Sequence, residues 1–413
     1  MTIEMKNNKN NNCNFPTLRF PEFSGEWKKY FIRDIAEVTK GAGISKEQRS
    51  LFGTPCILYG ELYTTYKSEV INDVQSKTDI DAKNLVRSKE NDVIIPSSGE
   101  TAIDISTARC VPYDDVLLGG DLNIIRLYQN DGRFLSYQLN GVRKLDIARV
   151  AQGSSVIHLY GESIKSLSVS LPALKEQQKI VSLLSLIDER IATQNKIIEE
   201  YKKLKNALAE SLYYPKKSQE LLKLKGLNSK WEQCFLKDVV ENFCRRNKSH
   251  IQYPMYSVTN DLGFVPQSEK FEERTMMGED ISSYKVINKG DFAYNPARIN
   301  VGSIAKYEGD NPCMISSLYV CFRPKYNISS EWLQHLLKSQ RMIYNYNLFG
   351  EGGVRIYLFF PNFGRIKISI PPLEEQKKIA AVISTIEQKI SVENFILDKL
   401  NTQKSFLLTK MFI

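Results

Sequence analysis

The chain has 413 residues, 42% hydrophobic and 25% charged, a composition that fits two or three globular domains. Lysine and arginine number 56 against 47 acidic residues, and the formal charge of +9 suits a polyanionic partner. Seven cysteines (Cys13, Cys56, Cys110, Cys234, Cys244, Cys313, Cys321) without a Cys-x-x-Cys pair argue against a zinc knuckle or a disulfide framework. Three histidines leave little for histidine metal chemistry, and no apolar run reaches the roughly 18–20 residues of a membrane span.

Residues 1–14 are rich in Asn and Lys and lack the apolar core of a signal peptide, so a disordered tail and a cytoplasmic chain are expected. A Trp-led segment, Trp27 to Glu37, opens a region of mixed character reaching residue 171. Its β-rich runs are Pro55–Tyr59, Asp92–Ile95 and Leu122–Tyr128, bounded by Gly, Pro, Asn or Asp. A short helix is expected over Phe134–Asn140. From Ala173 to about Tyr214 apolar residues recur at Ile180, Leu184, Ile187, Ile191, Ile198, Tyr201 and Leu208. Steps of mostly four and three are the signature of a coiled-coil seam, opened by Pro172 and closed by Pro215.

A linker over 215–230 leads to a second Trp-led segment at Trp231, whose match to Trp27 onward runs to Glu241. Strands are expected at Tyr284–Ile287 and Ser317–Phe322, and a helix over Ser330–Tyr346. From Pro372 to about Met411 the seam returns at Ile379, Ile383, Ile386, Ile390, Leu397, Leu400 and Leu407. Its polar interruptions also coincide, Gln194 with Glu393 and Lys205 with Lys404. Ahead of each helix stands one box: Ser170-Leu-Pro-Ala-Leu-Lys-Glu-Gln-Gln-Lys-Ile180 and Ser369-Ile-Pro-Pro-Leu-Glu-Glu-Gln-Lys-Lys-Ile379, identical at seven of eleven positions.

The chain is therefore an internal, pseudo-twofold repeat. Between the boxes the halves share only faint cues, such as Asn91-Asp92-Val93-Ile94-Ile95-Pro96 against Lys289-Gly290-Asp291-Phe292-Ala293-Tyr294-Asn295-Pro296. One frame carrying two unlike middles suggests two different recognition surfaces. Single amphipathic helices of this length are poorly stable alone, so the two are expected to pack antiparallel as a rod of roughly 55–60 Å. The fold class is α+β: domain one over 15–171, helix over 172–214, domain two over 231–370, helix over 371–413.

Catalytic constellations are missing. Asn295-Pro296-Ala297-Arg298 lacks the second proline and the aromatic of an adenine methyltransferase motif. Gly350-Glu351-Gly352-Gly353 is followed by no Gly-Lys-Ser/Thr, so it is no phosphate-binding P-loop, and Asp81-Ala82-Lys83 is a common triplet. Candidate DNA-facing residues in domain one are Lys40, Ser45, Lys46, Ser97, Ser98, Thr101 and Arg143. In domain two they are Arg245, Arg246, Lys248, Arg298, Asn300, Ser303, Arg355 and Tyr357. Arginine can fork onto guanine and asparagine onto adenine, whereas lysine and serine more often hold phosphate.

The twofold Pro-x-Leu-x-Glu-Gln-x-Lys-Ile box (Pro172 to Ile180, Pro371 to Ile379), each copy ahead of a heptad helix and behind a Trp-opened variable region, closely resembles the specificity subunits of type I restriction–modification systems. Gly352-Gly353-Val354-Arg355 before the second box is also family-like, while the first half has Gly153-Ser154-Ser155-Val156 there. The resemblance implies two target-recognition domains, each reading half of a split DNA site, spaced by the helical pair. It implies assembly with two methyltransferase subunits and with restriction/translocase subunits. S-adenosylmethionine, ATP and Mg would be bound by those partners; this chain would hold no cofactor or metal and have no catalytic site.

Overall fold

The computed structural model describes residues 4–5, 14–214, 231–267, 281–353 and 355–413. The expected linker over 215–230, with Pro215, and most of the expected N-terminal tail lie outside them; Glu4–Met5 pairs antiparallel with Leu18–Arg19. The chain divides into two compact units, residues 1–195 with 395–413, and residues 196–394.

In the first unit, β1 (Lys28–Phe31) pairs antiparallel with β10 (Ser168–Leu171), so the strand after Trp27 is sewn to the strand before the box. Between them lie β2 (Ala36–Lys40), β3 (Thr54–Ile57), β4 (Ser76–Thr78), β5 (Val86–Arg87), β6 (Asp92–Pro96), β7 (Arg109–Val111), β8 (Leu117–Leu118) and β9 (Leu122–Leu127). One antiparallel sheet runs β7-β6-β9-β2 and a second runs β4-β3-β8-β5. All five residues of β6 are buried, as expected of a central strand covered on both faces. Helix α1 (Gly132–Asn140) begins where the Asp131 carboxylate accepts from the amides of Arg133 and Phe134.

The second unit repeats this plan. Strand β11 (Glu232–Phe235) pairs with β20 (Lys367–Ile370) in the same antiparallel manner. Between them come β12 (Val240–Phe243), β13 (Tyr256–Val258), β14 (Phe264–Pro266), β15 (Lys285–Ile287), β16 (Phe292–Tyr294), β17 (Ile304–Lys306), β18 (Cys313–Ile315) and β19 (Val320–Pro324). The main sheet has the order β12-β19-β16-β17, which is β2-β9-β6-β7 over again. The smaller pairings also correspond: β3·β4 to β13·β14, and β5·β8 to β15·β18. The parallel pairing of β3 with β8 is echoed by a parallel bridge between Met255 and Met314. The middles that look unrelated in sequence thus share one strand order. The faint cue is the turn that feeds the central strand. Asn91 (φ 77°) and Gly290 (φ 86°) take the left-handed conformation, and Asp92 and Asp291 accept from the amides of Lys89 and Asn288 at 2.8 and 3.0 Å.

One helix differs from expectation. Ser330–Tyr346 is two helices, α3 (Ser330–Leu337) and α4 (Gln340–Phe349), because the Ser339 hydroxyl accepts from Met342 N and starts a new helix. The strand expected at Ser317–Phe322 starts later, at Val320, after a turn in which Tyr319 N donates to Ser316 O.

The long helices are α2 (Leu174–Tyr213, 40 residues) and α5 (Leu373–Lys410, 38 residues). All fourteen seam residues are buried or half-buried. In the first core, Ile180, Leu184 and Ile187 of α2 meet Leu407 of α5 and the adjoining Met411 and Phe412 around Trp27, Phe134 and Tyr137. Phe412 lies 6.3 Å from the Trp27 ring and 5.0 Å from that of Phe134. In the second core, Leu212 and Tyr213 of α2 meet Ile379, Ala380 and Ile383 of α5 around Trp332 and Phe363. In each unit the start of one helix meets the end of the other, so the pairing is antiparallel. No helix of the described residues is long and apolar enough to cross a membrane.

Candidate nucleic-acid interface and the frame that holds it

The repeated box is a joint. Trp27 Nε1 donates to Glu176 Oε1 at 3.3 Å, and Trp231 Nε1 donates to Glu375 Oε1 at 3.0 Å. The neighbouring glutamine closes the corner. Gln177 Oε1 accepts from Asp131 N at 3.0 Å while its Nε2 donates to Pro172 O at 2.9 Å. Gln376 Oε1 accepts from Ser329 N at 2.8 Å while its Nε2 donates to Pro371 O at 2.9 Å. Both glutamines are buried, and only a side chain with a donor and an acceptor satisfies backbone groups on two sides. The sequence flags these residues by repetition; apart from the proline carbonyls of the box itself, their bonding partners Trp27, Trp231, Asp131 and Ser329 are distant in the chain and carry no local signal.

A second tie links helix to helix inside each unit. Lys404 of α5 lies 2.6 Å from Asp188 of α2 and also pairs with Glu69, and Tyr137 donates to Asp188 at 2.7 Å. Burial works against the Lys404 ammonium, but the Glu69 and Asp188 carboxylates outweigh it and hold its pKa above the ordinary lysine value. At the repeat-equivalent place Lys205 lies 3.3 Å from Glu387, and His335 stands where Tyr137 stands in the first unit. His335 Nδ1 is 3.6 Å from Glu387, its Nε2 is 3.0 Å from Ser384 Oγ, and burial pushes its pKa down.

The residues proposed to face DNA divide into free and engaged groups. Lys40, Ser45, Lys46 and Thr101 are exposed, and Ser98 is half-buried; the Thr101 hydroxyl also caps the short helix Ala102–Ile105. Arg246, Lys248, Arg298, Arg355 and Tyr357 are exposed, with Asn300 half-buried and its amide 3.5 Å from Asn347. Three do not fit a DNA-facing role. Ser97 is buried beside Asp121, Ser303 is buried with its hydroxyl donating to Val258 O, and Arg143 is held by Asp146 and the Ile413 carbonyl. Arg245 is half-engaged, 3.4 Å from Asp291 and over the Phe243 ring. In Asn295-Pro296-Ala297 the asparagine side chain accepts from Ala297 N, so it serves a turn.

The loop before each box is the same loop despite its different sequence. Gln152 and His158 exchange reciprocal backbone bonds at 2.9 and 2.7 Å, as do Glu351 and Tyr357 at 2.8 and 2.7 Å. Gly153 (φ 128°) and Gly352 (φ 113°) stand at the same corner, where a Cβ would meet the carbonyl of Val156 or Arg355 at 2.1 or 2.3 Å. Beside each loop two exposed rings stack, His158 on Tyr160 and Tyr357 on Phe359. Val354 lies outside the described residues.

The profile of the type I restriction modification DNA specificity domain matches residues 24–203 and again 228–402. The chain belongs to this family. It is a type I specificity subunit, the DNA-recognition member of such systems and not a catalytic one. It is 24% identical over 408 residues to the type I restriction enzyme MjaVIII specificity subunit of Methanocaldococcus jannaschii, covering 91% of this chain and 89% of that protein. A putative MjaX specificity subunit of the same organism is 22% identical over 415 residues, covering 92% and 91%. The fold matches the crystal structure of a type I S subunit from M. genitalium with TM-score 0.61 at 20% identity, covering 100% of this chain and 99% of that one. A chain from a study of complex assembly and conformational transition of the type I system matches with TM-score 0.55 at 17% identity, covering 94% and 97%.

Proposed function

We propose that each unit of this specificity subunit reads one half of a bipartite, non-palindromic DNA site, and that the helical pair sets the spacing between the halves and docks two methyltransferase subunits. The observation that carries this reading is the path of the helices: α2 starts in the first core and ends in the second, and α5 starts in the second and ends in the first. At 1.5 Å per residue they are about 60 and 57 Å long. One strand order used twice with unlike loops lets unlike half-sites be read, where a true homodimer would favour a palindrome.

Lys40, Ser45, Lys46, Ser98 and Thr101 would serve the first half-site. Arg246, Lys248, Arg298, Asn300, Arg355 and Tyr357 would serve the second, with the arginines and asparagine reading base edges and the lysines holding phosphate. Restriction/translocase subunits would complete the assembly in the cytoplasm. S-adenosylmethionine, ATP and Mg²⁺ would be held by the partners, with no cofactor in this chain.

The test is methylation mapping with a spacer insertion. Seven residues added in register to both helices, the first insertion between Ile191 and Leu208, lengthen the pair by about 10 Å, about three base pairs of DNA. The tolerated spacer should lengthen while both half-site sequences stay the same. A changed half-site with an unchanged spacer would refute the reading.

A further inference from the structure

A groove of about 640 Å³ opens in the second unit where the strand pair β11·β20 meets α4 and the end of α2. Its lining carries Lys237, Arg341, Arg365 and Lys367, all exposed, and among the described residues no carboxylate lines it. None of the four cations forms an ion pair with a described residue. Lys237 and Lys367 lie over one ring, that of Phe235, at 5.5 and 5.6 Å, and Arg341 lies 4.6 Å over the ring of Tyr214. The backbone fixes this corner. Leu236 N donates to Ile366 O at 3.0 Å, Lys237 N donates to Gly364 O at 3.1 Å, and Phe235 faces Lys367 across the strand pair. Like charges held over one ring without a counter-ion raise the local positive potential, and an anion relieves it.

The kind of anion follows from exposure and from repetition. A small phosphate needs an enclosed cradle, and four exposed side chains on an open groove give it little. A polyanion meets all four at once and releases its condensed counter-ions as it does so. The groove also does not repeat. In the first unit the corresponding corner keeps the aromatic and one cation, with Arg33 4.3 Å over Phe31, but Ser166 and Ser168 stand where Arg365 and Lys367 stand. A protein partner taken up in two copies on a repeated frame would meet the same side chains twice, and here it would not. The polyanion that this family recognises is DNA. Lys237, Arg365 and Lys367 sit on the frame strands and their turn, not on the loops that differ between the halves, so the groove suits phosphate and not base edges.

We propose that this groove carries the sugar–phosphate backbone of DNA beside the half-site of the second unit, as a sequence-independent anchor that the corresponding corner of the first unit does not share. This rests on the reading that the second unit lies on DNA.

The test is the DNA affinity of the full chain, in complex with its methyltransferase subunits, measured against salt between about 50 and 200 mM. Arg365→Ser with Lys367→Ser installs the residues of the first unit, and Lys237→Ala with Arg341→Ala removes the other two cations. At about 0.9 per phosphate contact, each pair should lower the slope of log affinity against log salt by about 1–2 and weaken binding at low salt at least about tenfold. Arg365→Lys with Lys367→Arg keeps the charge and should keep the slope, which separates lost charge from a disturbed fold. Methylation mapping should return the same two half-sites and spacer with every variant. An unchanged slope with the bipartite site still bound overturns the groove assignment alone. A changed half-site makes the groove a reader of bases, and loss of a methyltransferase copy in native mass spectrometry makes it a protein seat; either refutes the proposal. If the parent complex shows no preference for a bipartite site, the reading beneath falls and the proposal falls with it.

Discussion

Removing the Lys404 ammonium should destabilise the first unit far more than removing its repeat-equivalent, Lys205, destabilises the second. The Lys404 side chain is 12% exposed and its partners Glu69 and Asp188 are each 8% exposed. Lys404→Ala leaves two buried carboxylates facing each other without a cation, a loss of about 3–5 kcal/mol. Lys205 is 32% and Glu387 40% exposed, so water replaces most of what Lys205→Ala removes, and the loss is about 0–1 kcal/mol. At about 2–4 °C per kcal/mol for a unit of this size, Lys404→Ala should lower one calorimetric transition by about 6–20 °C. Lys205→Ala should move the other by about 4 °C or less. Changing Lys404, Glu69 and Asp188 together to apolar residues of similar volume should recover most of the loss. Equal shifts for the two lysine variants would refute the claim that burial decides the strength of these ties.

Gln177→Ala and Gln376→Ala each strand a backbone donor and acceptor at the box, and should each cost about 1–3 kcal/mol by chemical denaturation. Arg246→Ala with Lys248→Ala should weaken DNA binding and flatten its salt dependence, and in methylation mapping relax only the half-site read by the second unit. His335 has a folded-state pKa below the ordinary value of about 6.5, so the unfolded chain binds more protons as pH falls through that value. Stability of the second unit should therefore be full above about pH 6.5 and decline below it, and His335→Gln should remove that part of the slope in melts at pH 5.5 and 7.5. Gly352→Ala and Gly153→Ala should each destabilise their loop by about 1 kcal/mol or more, read as faster amide exchange at Tyr357 or His158.

The sequence announced the frame because repetition and a three–four period are local signals. The box, the seam from Ile180 to Leu208 and from Ile379 to Leu407, and Phe134–Asn140 are legible from neighbouring residues alone. The shared strand order of the middles was not, because strands of two to six residues are too short for a period, and pairings such as Leu117 with Cys56 are set by neighbours distant in the chain. Equivalent places also carry different side chains, Tyr137 against His335 and Asn91 against Gly290, so identity understates the likeness. Residue type alone marks the candidate site residues, and type cannot separate exposed Arg246 from half-buried Arg143, whose guanidinium is tied to Asp146 and the Ile413 carbonyl.

Leu407, Met411 and Phe412 fill the first core. A ribosome makes them more than two hundred residues after Ile187, which shares that core, so the half of the protein synthesised first cannot close its interior until long after it has left the exit tunnel. Vectorial synthesis, which ordinarily lets an early domain settle on its own, is suspended here. A stop codon just before Leu407 would strike the earliest-made domain, while every residue of the second core would already have been made.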